Sequence, residues 1–266
     1  MYEFNYHRAK NLADAAKKLA AAEDGRVLAG GQTLIAAMKL RLSAPSDVID
    51  LRDVPELRGI RREGNNLVIG AMTRHAEVAA SKEVLAAIPA LAQLASGIGD
   101  RMVRAMGTLG GSVANNDPAA DYPAAVVGLG ATVHTDRRKI GADEFFTGMY
   151  ETALEPGEIV TAIAFPIAKR AGYAKFRNPA SRYAIVGVFV AEAGGAARVA
   201  VTGAGPAVFR VPAMEKALAK KFAADSLDGI AVPADELNSD IHASAEYRAH
   251  LVTVMAKRAV AQALAA

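Results

Sequence analysis

The stretch RVLAGGQTLIAAMKLR (residues 26–41) joins a short apolar run to a double glycine and then to a second apolar pattern. The apolar residues after Gly30-Gly31 recur at the spacing of one helix face: Leu34, Ala37 and Met38. Pro45 then precedes VIDL (residues 48–51), which has the composition of a strand. The order strand, helix, strand predicts a βαβ unit with a glycine turn at its first junction.

The double glycine at this corner could hold an anion. Glycine lets the backbone approach a bulky group closely, and the free amides at the start of the next helix favour negative charge. The pattern matches neither the GxGxxG turn of a Rossmann fold nor the P-loop. A double glycine between a strand and a helix is, by itself, more often a tight turn than a phosphate site.

A second double glycine lies in GTLGGSVANNDPAADYP (residues 107–123), with hydroxyl and carboxylate residues around it. Thr108 and Ser112 could donate to phosphate oxygens, and Asp121 could accept from a ribose hydroxyl. Because residues 97–123 are rich in Gly, Asn and Asp, we expect a long functional loop there. An ordered turn with Asx caps is the alternative reading of this motif. Two such motifs in one chain favour a ligand with two phosphates and sugar hydroxyls.

The part of the chain before residue 170 mixes helix and strand signals. Asn11 has the position of a helix N-cap, and residues 60–70 have the pattern of a hairpin. A helical stretch is predicted to open at Thr73 and to run to about Ser96.

After about residue 170 the pattern changes. Residues 184–192, 197–202 and 208–211 alternate with Gly/Pro turns and predict an antiparallel meander. A last helix is expected from about residue 243 to residue 265. We therefore expect an N-terminal α+β region followed by a domain of a sheet with helices.

The composition excludes several kinds of chemistry. The chain has 266 residues, 31 Lys+Arg against 28 Asp+Glu, and no cysteine. Zero cysteine excludes a disulfide framework, a thiolate nucleophile, a Cys zinc site and an iron–sulfur cluster built from this chain alone. The mild charge and the low aromatic content argue against nucleic acid as a partner. The five histidines lack metal-ligand spacing, so no metal site is expected.

The sequence also bears on location. No apolar run reaches the roughly 18 residues that indicate a membrane span, so we expect no transmembrane segment. The opening MYEFNYHRAK is not signal-like, which predicts a cytoplasmic protein.

Five segments together resemble a known family. They are FNYHRAKNLADAAKKLA (residues 4–20), AGGQTLIAAMKLR (29–41), GAMTRHAEV (70–78), GTLGGSVANNDPAADYP (107–123) and IHASAEYRAHLVTVMAKRAV (241–260). The chain resembles, over nearly its whole length, the flavin subunit of molybdenum hydroxylases. This family includes the medium subunit of carbon monoxide dehydrogenase and the flavin domain of xanthine dehydrogenase.

The resemblance implies a fold and a cofactor. The fold is α+β: a two-part FAD-binding domain of the vanillyl-alcohol-oxidase (PCMH) type over residues 1–170, with subdomains of about 1–57 and 58–170. An α+β C-terminal domain of the carbon monoxide dehydrogenase flavoprotein type, an antiparallel sheet with helices, covers residues 171–266. FAD would be non-covalent, because the chain has no cysteine and has Gln32 where some relatives carry histidine.

The resemblance also implies site residues. The pyrophosphate would be held by the backbone amides of residues 30–34 and 110–112. Asp121 would lie near the adenosine ribose and Tyr183 beside the flavin ring, while Lys39 matches a usual family residue. The full expected cofactor-binding set is Ala29, Gly30, Gly31, Gln32, Thr33, Leu34, Lys39, Thr108, Gly110, Gly111, Ser112, Asn115, Asp117, Asp121 and Tyr183.

The function implied is electron transfer. A partner small subunit with [2Fe–2S] clusters would deliver electrons to FAD, a large molybdopterin subunit would oxidise the substrate, and the complex would be a dimer of heterotrimers. An external acceptor would take the electrons, and no catalytic side chain is expected because the flavin carries the redox chemistry. The alternatives are a free-standing FAD oxidoreductase that acts directly on a small substrate and a non-redox dinucleotide-binding module.

Overall fold

The computed structural model describes residues 1–265. Its α-helices are α1 (Leu12–Ala21), α2 (Leu34–Lys39), α3 (His75–Ala80), α4 (Lys82–Ala87), α5 (Pro89–Ser96), α6 (Arg101–Met106), α7 (Leu109–Asn115), α8 (Tyr122–Leu129), α9 (Ala142–Phe145), α10 (Pro212–Lys220) and α11 (Ala245–Ala265). Its strands are β1 (Asn5–Arg8), β2 (Gly25–Leu28), β3 (Asp47–Asp50), β4 (Ile60–Glu63), β5 (Asn66–Gly70), β6 (Thr132–Thr135), β7 (Lys139–Gly141), β8 (Phe146–Gly148), β9 (Glu151–Thr152), β10 (Val160–Pro166), β11 (Arg170–Arg177), β12 (Ala184–Ala193), β13 (Ala196–Thr202) and β14 (Phe209–Arg210).

The N-terminal sheet is parallel and has the strand order β1-β3-β2. Helix α1 begins after Asn11, whose side chain accepts a hydrogen bond from the Asp14 amide at 2.8 Å. Helix α2 follows β2 and leads to β3, and β2 and β3 pair in parallel. The predicted βαβ unit and the predicted Asn11 cap are therefore confirmed.

The middle of the chain forms a five-stranded antiparallel sheet with the order β4-β5-β10-β6-β7. Its β4–β5 hairpin is the one predicted over residues 60–70. Helices α7 and α8 pack against this sheet, and every residue of α8 is buried. The largest apolar core of the protein lies here, between the sheet and its helices, and includes Leu91, Leu109 and Phe165.

The helical stretch predicted from Thr73 to Ser96 consists of α3, α4 and α5. It starts at His75, with Arg74 as the N-cap, so the start predicted at Thr73 is wrong. The Thr73 hydroxyl donates instead to the carbonyl of Gly59 at 3.3 Å. The breaks in the stretch follow from Ser81, which caps α4, and from Pro89, which begins α5.

Residues 97–123 are helical for most of their length, so the prediction of a long loop there is wrong. Asp100 caps α6 and Thr108 caps α7 through their side chains. Gly110 lies inside α7 against Ala71, where a Cβ would have no room. Gly110, one of the glycines that suggested a loop, is required by the close packing of α7 on the chain that follows β5.

The C-terminal part is an antiparallel sheet with the order β11-β12-β13-β14, and helix α11 packs on β11 and β12. The predicted meander and last helix are confirmed. Strand β11 escaped prediction because Lys175 and Arg177 interrupt its apolar pattern. Although α11 has 21 residues, no helix within residues 1–265 is both long and apolar enough to cross a membrane.

Candidate functional site

A cavity of about 580 Å³ lies where the N-terminal sheet, helices α6 and α7 and the turn after β11 meet. This volume is typical of small-molecule and cofactor sites, which measure about 300–1,000 Å³. Fourteen of the fifteen site residues predicted from the sequence line it: Ala29, Gly30, Gly31, Gln32, Thr33, Leu34, Thr108, Gly110, Gly111, Ser112, Asn115, Asp117, Asp121 and Tyr183. The structure differs from the prediction at Lys39, which is exposed at the end of α2 and does not line the cavity.

The two glycine motifs touch each other through their backbones. Gly30 lies against the carbonyl of Met106 and the Cα of Gly107, so that a Cβ at position 30 would come within 2.7 Å of that Cα. Gly31 has a φ of +74°, a conformation that residues with side chains rarely adopt. The first glycine therefore permits the close approach and the second permits the sharp turn.

The first turn offers free hydrogen-bond donors to the cavity. Within residues 1–265, the backbone amides from Gly30 to Leu34 donate to no protein acceptor. Backbone N–H groups that lack a protein partner are normally satisfied by water or by a ligand. An anionic group seated in this turn would receive several of these bonds at once.

The amides of the second motif are already engaged, which differs from the prediction that they hold the ligand. The Gly110 amide donates to the Ala71 carbonyl at 2.8 Å, and the Ser112 amide donates to the Thr108 carbonyl at 3.1 Å. The Gly111 amide donates to the Thr108 hydroxyl oxygen at 3.1 Å. The second motif therefore contributes a close wall and side chains to the cavity rather than free amides.

Asp121 is a buried carboxylate at the wall of the cavity. Its Oδ1 lies 2.8 Å from the Lys175 ammonium and accepts a hydrogen bond from the Tyr173 hydroxyl at 2.5 Å. Burial raises the pKa of Asp121, while Lys175 and Tyr173 oppose the shift. Both partners lie on β11, so sequence reasoning missed them. The signal that could have found them is a lysine within an otherwise apolar alternation.

His75 is a second residue that sequence reasoning missed, because an isolated histidine reads as a surface or capping residue. It begins α3, lines the cavity and is 5% exposed. Its Nδ1 has no hydrogen-bond partner among residues 1–265. Burial, and to a lesser extent the charge of Arg104, lowers its pKa from 6.5 to about 4. The imidazole at the cavity wall is therefore neutral near pH 7.

Because of His75, the free energy of unfolding is expected to fall by about 3 kcal/mol between pH 7 and pH 4. The unfolded chain binds a proton at this imidazole near pH 6.5, whereas the folded protein does so only near pH 4. Acid therefore favours the unfolded state across this window. Urea unfolding at both pH values measures the loss. The free energy of unfolding of a His75→Gln variant should fall less between pH 7 and pH 4 than that of the wild type. Replacement of the exposed His242 with glutamine is the control. An equal fall in His75→Gln and the wild type would contradict the role of His75 in acid sensitivity.

Tyr183 reaches the cavity from the turn between β11 and β12. Asn178 organises this turn, since its side-chain oxygen accepts from the amides of Ala180 and Ser181. Arg182 has a φ of +64°, in the left-handed region, and lines the cavity together with Ser181 and Tyr183. The Tyr183 side chain remains partly exposed, and burial together with the Asp117 charge raises its pKa. The ring is thus available to contact a ligand.

Two family models cover the chain. The FAD-binding domain in molybdopterin dehydrogenase matches residues 2–168, and the carbon monoxide dehydrogenase flavoprotein C-terminal domain matches residues 171–263. The chain belongs to the FAD-binding subunits of the molybdopterin dehydrogenases. This FAD subunit therefore has the predicted α+β fold, an FAD-binding domain followed by a C-terminal domain, and it is a subunit of an FAD-dependent oxidoreductase.

Similar proteins match this FAD subunit over nearly their full lengths. The carbon monoxide dehydrogenase medium chain of Afipia carboxidovorans is 38% identical, covering 98% of this chain and 97% of that protein. The nicotine 6-hydroxylase medium subunit of Paenarthrobacter nicotinovorans is 34% identical, covering 97% and 96%. Among solved structures, reconstituted CO dehydrogenase from Oligotropha carboxidovorans has a TM-score of 0.89 at 36% identity, covering 99% and 98%.

The residues of the cavity fit FAD. The unengaged amides of the first turn suit a diphosphate, and the lack of a side chain at Gly30 lets the two glycine motifs meet at the cavity. The residues that the structure describes contain no group of three or more His, Asp or Glu side chains that could hold a metal ion, and the sequence has no cysteine.

Proposed function

We propose that this FAD subunit transfers electrons within a molybdenum hydroxylase complex. The observation that carries the proposal is the pair of glycine motifs, which meet in one cavity with the amides of the first turn unengaged. FAD supplies the redox chemistry when it is bound. The protein's own residues bind and orient it.

Each wall of the cavity has its own part in this proposal. The amides from Gly30 to Leu34 would donate to the diphosphate. Asp121, whose carboxylate contacts Lys175 and Tyr173, would lie near the adenosine ribose, and Tyr183 would lie beside the flavin ring. We further propose a division of the chain at about residue 170, which the spans of the two family models support.

The partners are a small subunit with [2Fe–2S] clusters and a large molybdopterin subunit, arranged as a dimer of heterotrimers. Two observations support this part of the proposal. The relatives are named as medium chains of dehydrogenases, and this chain has no cysteine to hold a cluster of its own. The cytoplasmic location stays a prediction from the sequence.

Purified protein is expected to be yellow, with one FAD per chain. Acid precipitation should release the flavin into the supernatant, since no covalent attachment is proposed. Flavin that stays in the pellet would contradict non-covalent binding. Protein that is colourless and cannot be reconstituted with added FAD would contradict the proposed function and favour a non-redox binding module.

The electron-transfer role is separable from direct substrate oxidation. The isolated subunit loaded with FAD should not be bleached by aldehydes or purines, because its redox partner would be an iron–sulfur subunit. A reduced [2Fe–2S] subunit encoded beside this chain should bleach it. Rapid bleaching by a small organic substrate alone would favour the free-standing oxidoreductase.

A further inference from the structure

Arg248 is a buried cation in the first turn of α11, with a side chain that is 4% exposed. Its Nη1 donates to the carbonyls of Ile185 at 2.7 Å and Gly203 at 2.8 Å, and its Nη2 donates to Asp240 at 2.8 Å. Its Nε has no acceptor among the residues that the structure describes. Burying a guanidinium with an unpaired N–H is costly, and an apolar replacement is often equally stable. Stability alone therefore explains this residue poorly.

The two carbonyls that Arg248 binds belong to neighbouring strand ends. Ile185 is the second residue of β12, and Gly203 directly follows β13. The guanidinium group of Arg248 donates to both carbonyls, so it connects the ends of β12 and β13 to each other and to α11. The planar fork of arginine suits this task, because its donors have fixed directions.

The same strand ends form hydrogen bonds with the segment of residues 117–121. The Gly203 amide donates to the Pro118 carbonyl at 2.8 Å, and the Ala184 amide donates to the Ala119 carbonyl at 3.3 Å. The Thr202 hydroxyl contacts the carbonyls of Pro118 at 3.0 Å and Ala120 at 2.6 Å. Three successive carbonyls of the segment are thus bound by the ends that Arg248 joins.

Residues 117–121 in turn form part of the cavity wall. Asp117, Ala120 and Asp121 line the cavity, whereas Arg248 does not. We propose that Arg248 is a positioning residue for FAD, which fixes the ends of β12 and β13 and through them the wall segment. The identity of the ligand rests on the proposed function, while the connection from Arg248 to the segment does not.

The test compares the full-length variants Arg248→Met and Arg248→Lys with Arg198→Met as a matched control. Arg198 is also a largely buried arginine of the C-terminal sheet; its Nε donates to the Val127 carbonyl at 2.8 Å, away from the cavity. We expect Arg248→Met to raise the Kd for FAD at least tenfold, Arg248→Lys to raise it less, and Arg198→Met to change it less than twofold. Titration of the apoprotein with FAD, followed by flavin fluorescence, gives these values.

Hydrogen exchange in the absence of FAD separates this inference from the proposed function. Peptides that contain residues 117–121 and 203 should exchange faster in Arg248→Met than in the wild type, and at the wild-type rate in Arg198→Met. A folded Arg248→Met protein with wild-type exchange and wild-type FAD affinity would overturn the inference. If Arg248→Met does not fold, hydrogen exchange and FAD affinity are measured on Arg248→Lys instead, and wild-type values of both would overturn the inference. Wild-type protein that binds no FAD would overturn the proposed function, and exchange would still test Arg248.

Discussion

Replacing Asp121 with alanine is expected to lower the free energy of unfolding by about 3–5 kcal/mol. The change removes the carboxylate that lies 2.8 Å from the Lys175 ammonium, and the Lys175 side chain is only 5% exposed. The lysine would be left as an uncompensated buried charge, and the Tyr173 hydroxyl would lose its acceptor. Urea unfolding followed by circular dichroism measures the loss.

The matched comparison for Asp121 uses an exposed ion pair. Glu63 contacts Arg61 at 2.6 Å, and the two side chains are 51% and 54% exposed, so Glu63→Ala should cost no more than about 1 kcal/mol. A double variant, Asp121→Leu with Lys175→Met, should be less destabilised than the sum of the single changes, because neither charge is then left alone. An Asp121→Ala loss as small as that of Glu63→Ala would contradict the importance of the buried pair.

Replacing Gly30 with alanine is expected to weaken FAD binding by about 10–100-fold, through roughly 1–3 kcal/mol of strain. A Cβ at this position meets the carbonyl and Cα atoms of Met106 and Gly107, and backbone cannot rotate aside as a side chain does. The two glycine motifs would have to separate, which moves the free amides relative to the opposite wall. FAD titration of the apoprotein provides the measurement.

Gly141→Ala serves as the control for Gly30, because a Cβ there meets nothing within 4 Å and the residue has no positive φ. At Gly111 a Cβ would come within 2.8 Å of the Thr108 hydroxyl, a side-chain atom that can move at the expense of the α7 cap. Gly111→Ala should therefore weaken FAD binding less than Gly30→Ala. Equal FAD affinity in the Gly30 and Gly141 variants would show that the backbone contact does not shape the site.

Local structure was predicted correctly where the apolar residues of a segment recur at a single spacing, that of a strand or that of a helix. The β4–β5 hairpin, the βαβ unit and the meander are examples, since their turns and their apolar faces point to the same structure. The prediction for residues 97–123 was wrong because a glycine within a short helix can be required by a tight tertiary contact, such as that of Gly110 with Ala71. No local pattern reports such a contact.

The candidate site shows the same limit. The two glycine motifs located most of the cavity, yet the partners of Asp121 lie more than 50 residues further along the chain. His75 is ordinary in sequence and becomes notable only through its burial beside Gly107. Whether an amide is free or engaged is also a property of the folded chain, which explains why the second motif differs from its prediction.

The cavity wall gathers residues that are made at very different times during protein synthesis. Ala29 emerges from the ribosome early, whereas Asp121 and Tyr183 follow much later. Strand ends of the C-terminal sheet hold the middle segment of the wall, so an unfinished chain has no complete pocket. Retention of FAD is therefore expected to require the folded C-terminal sheet as well as the N-terminal region.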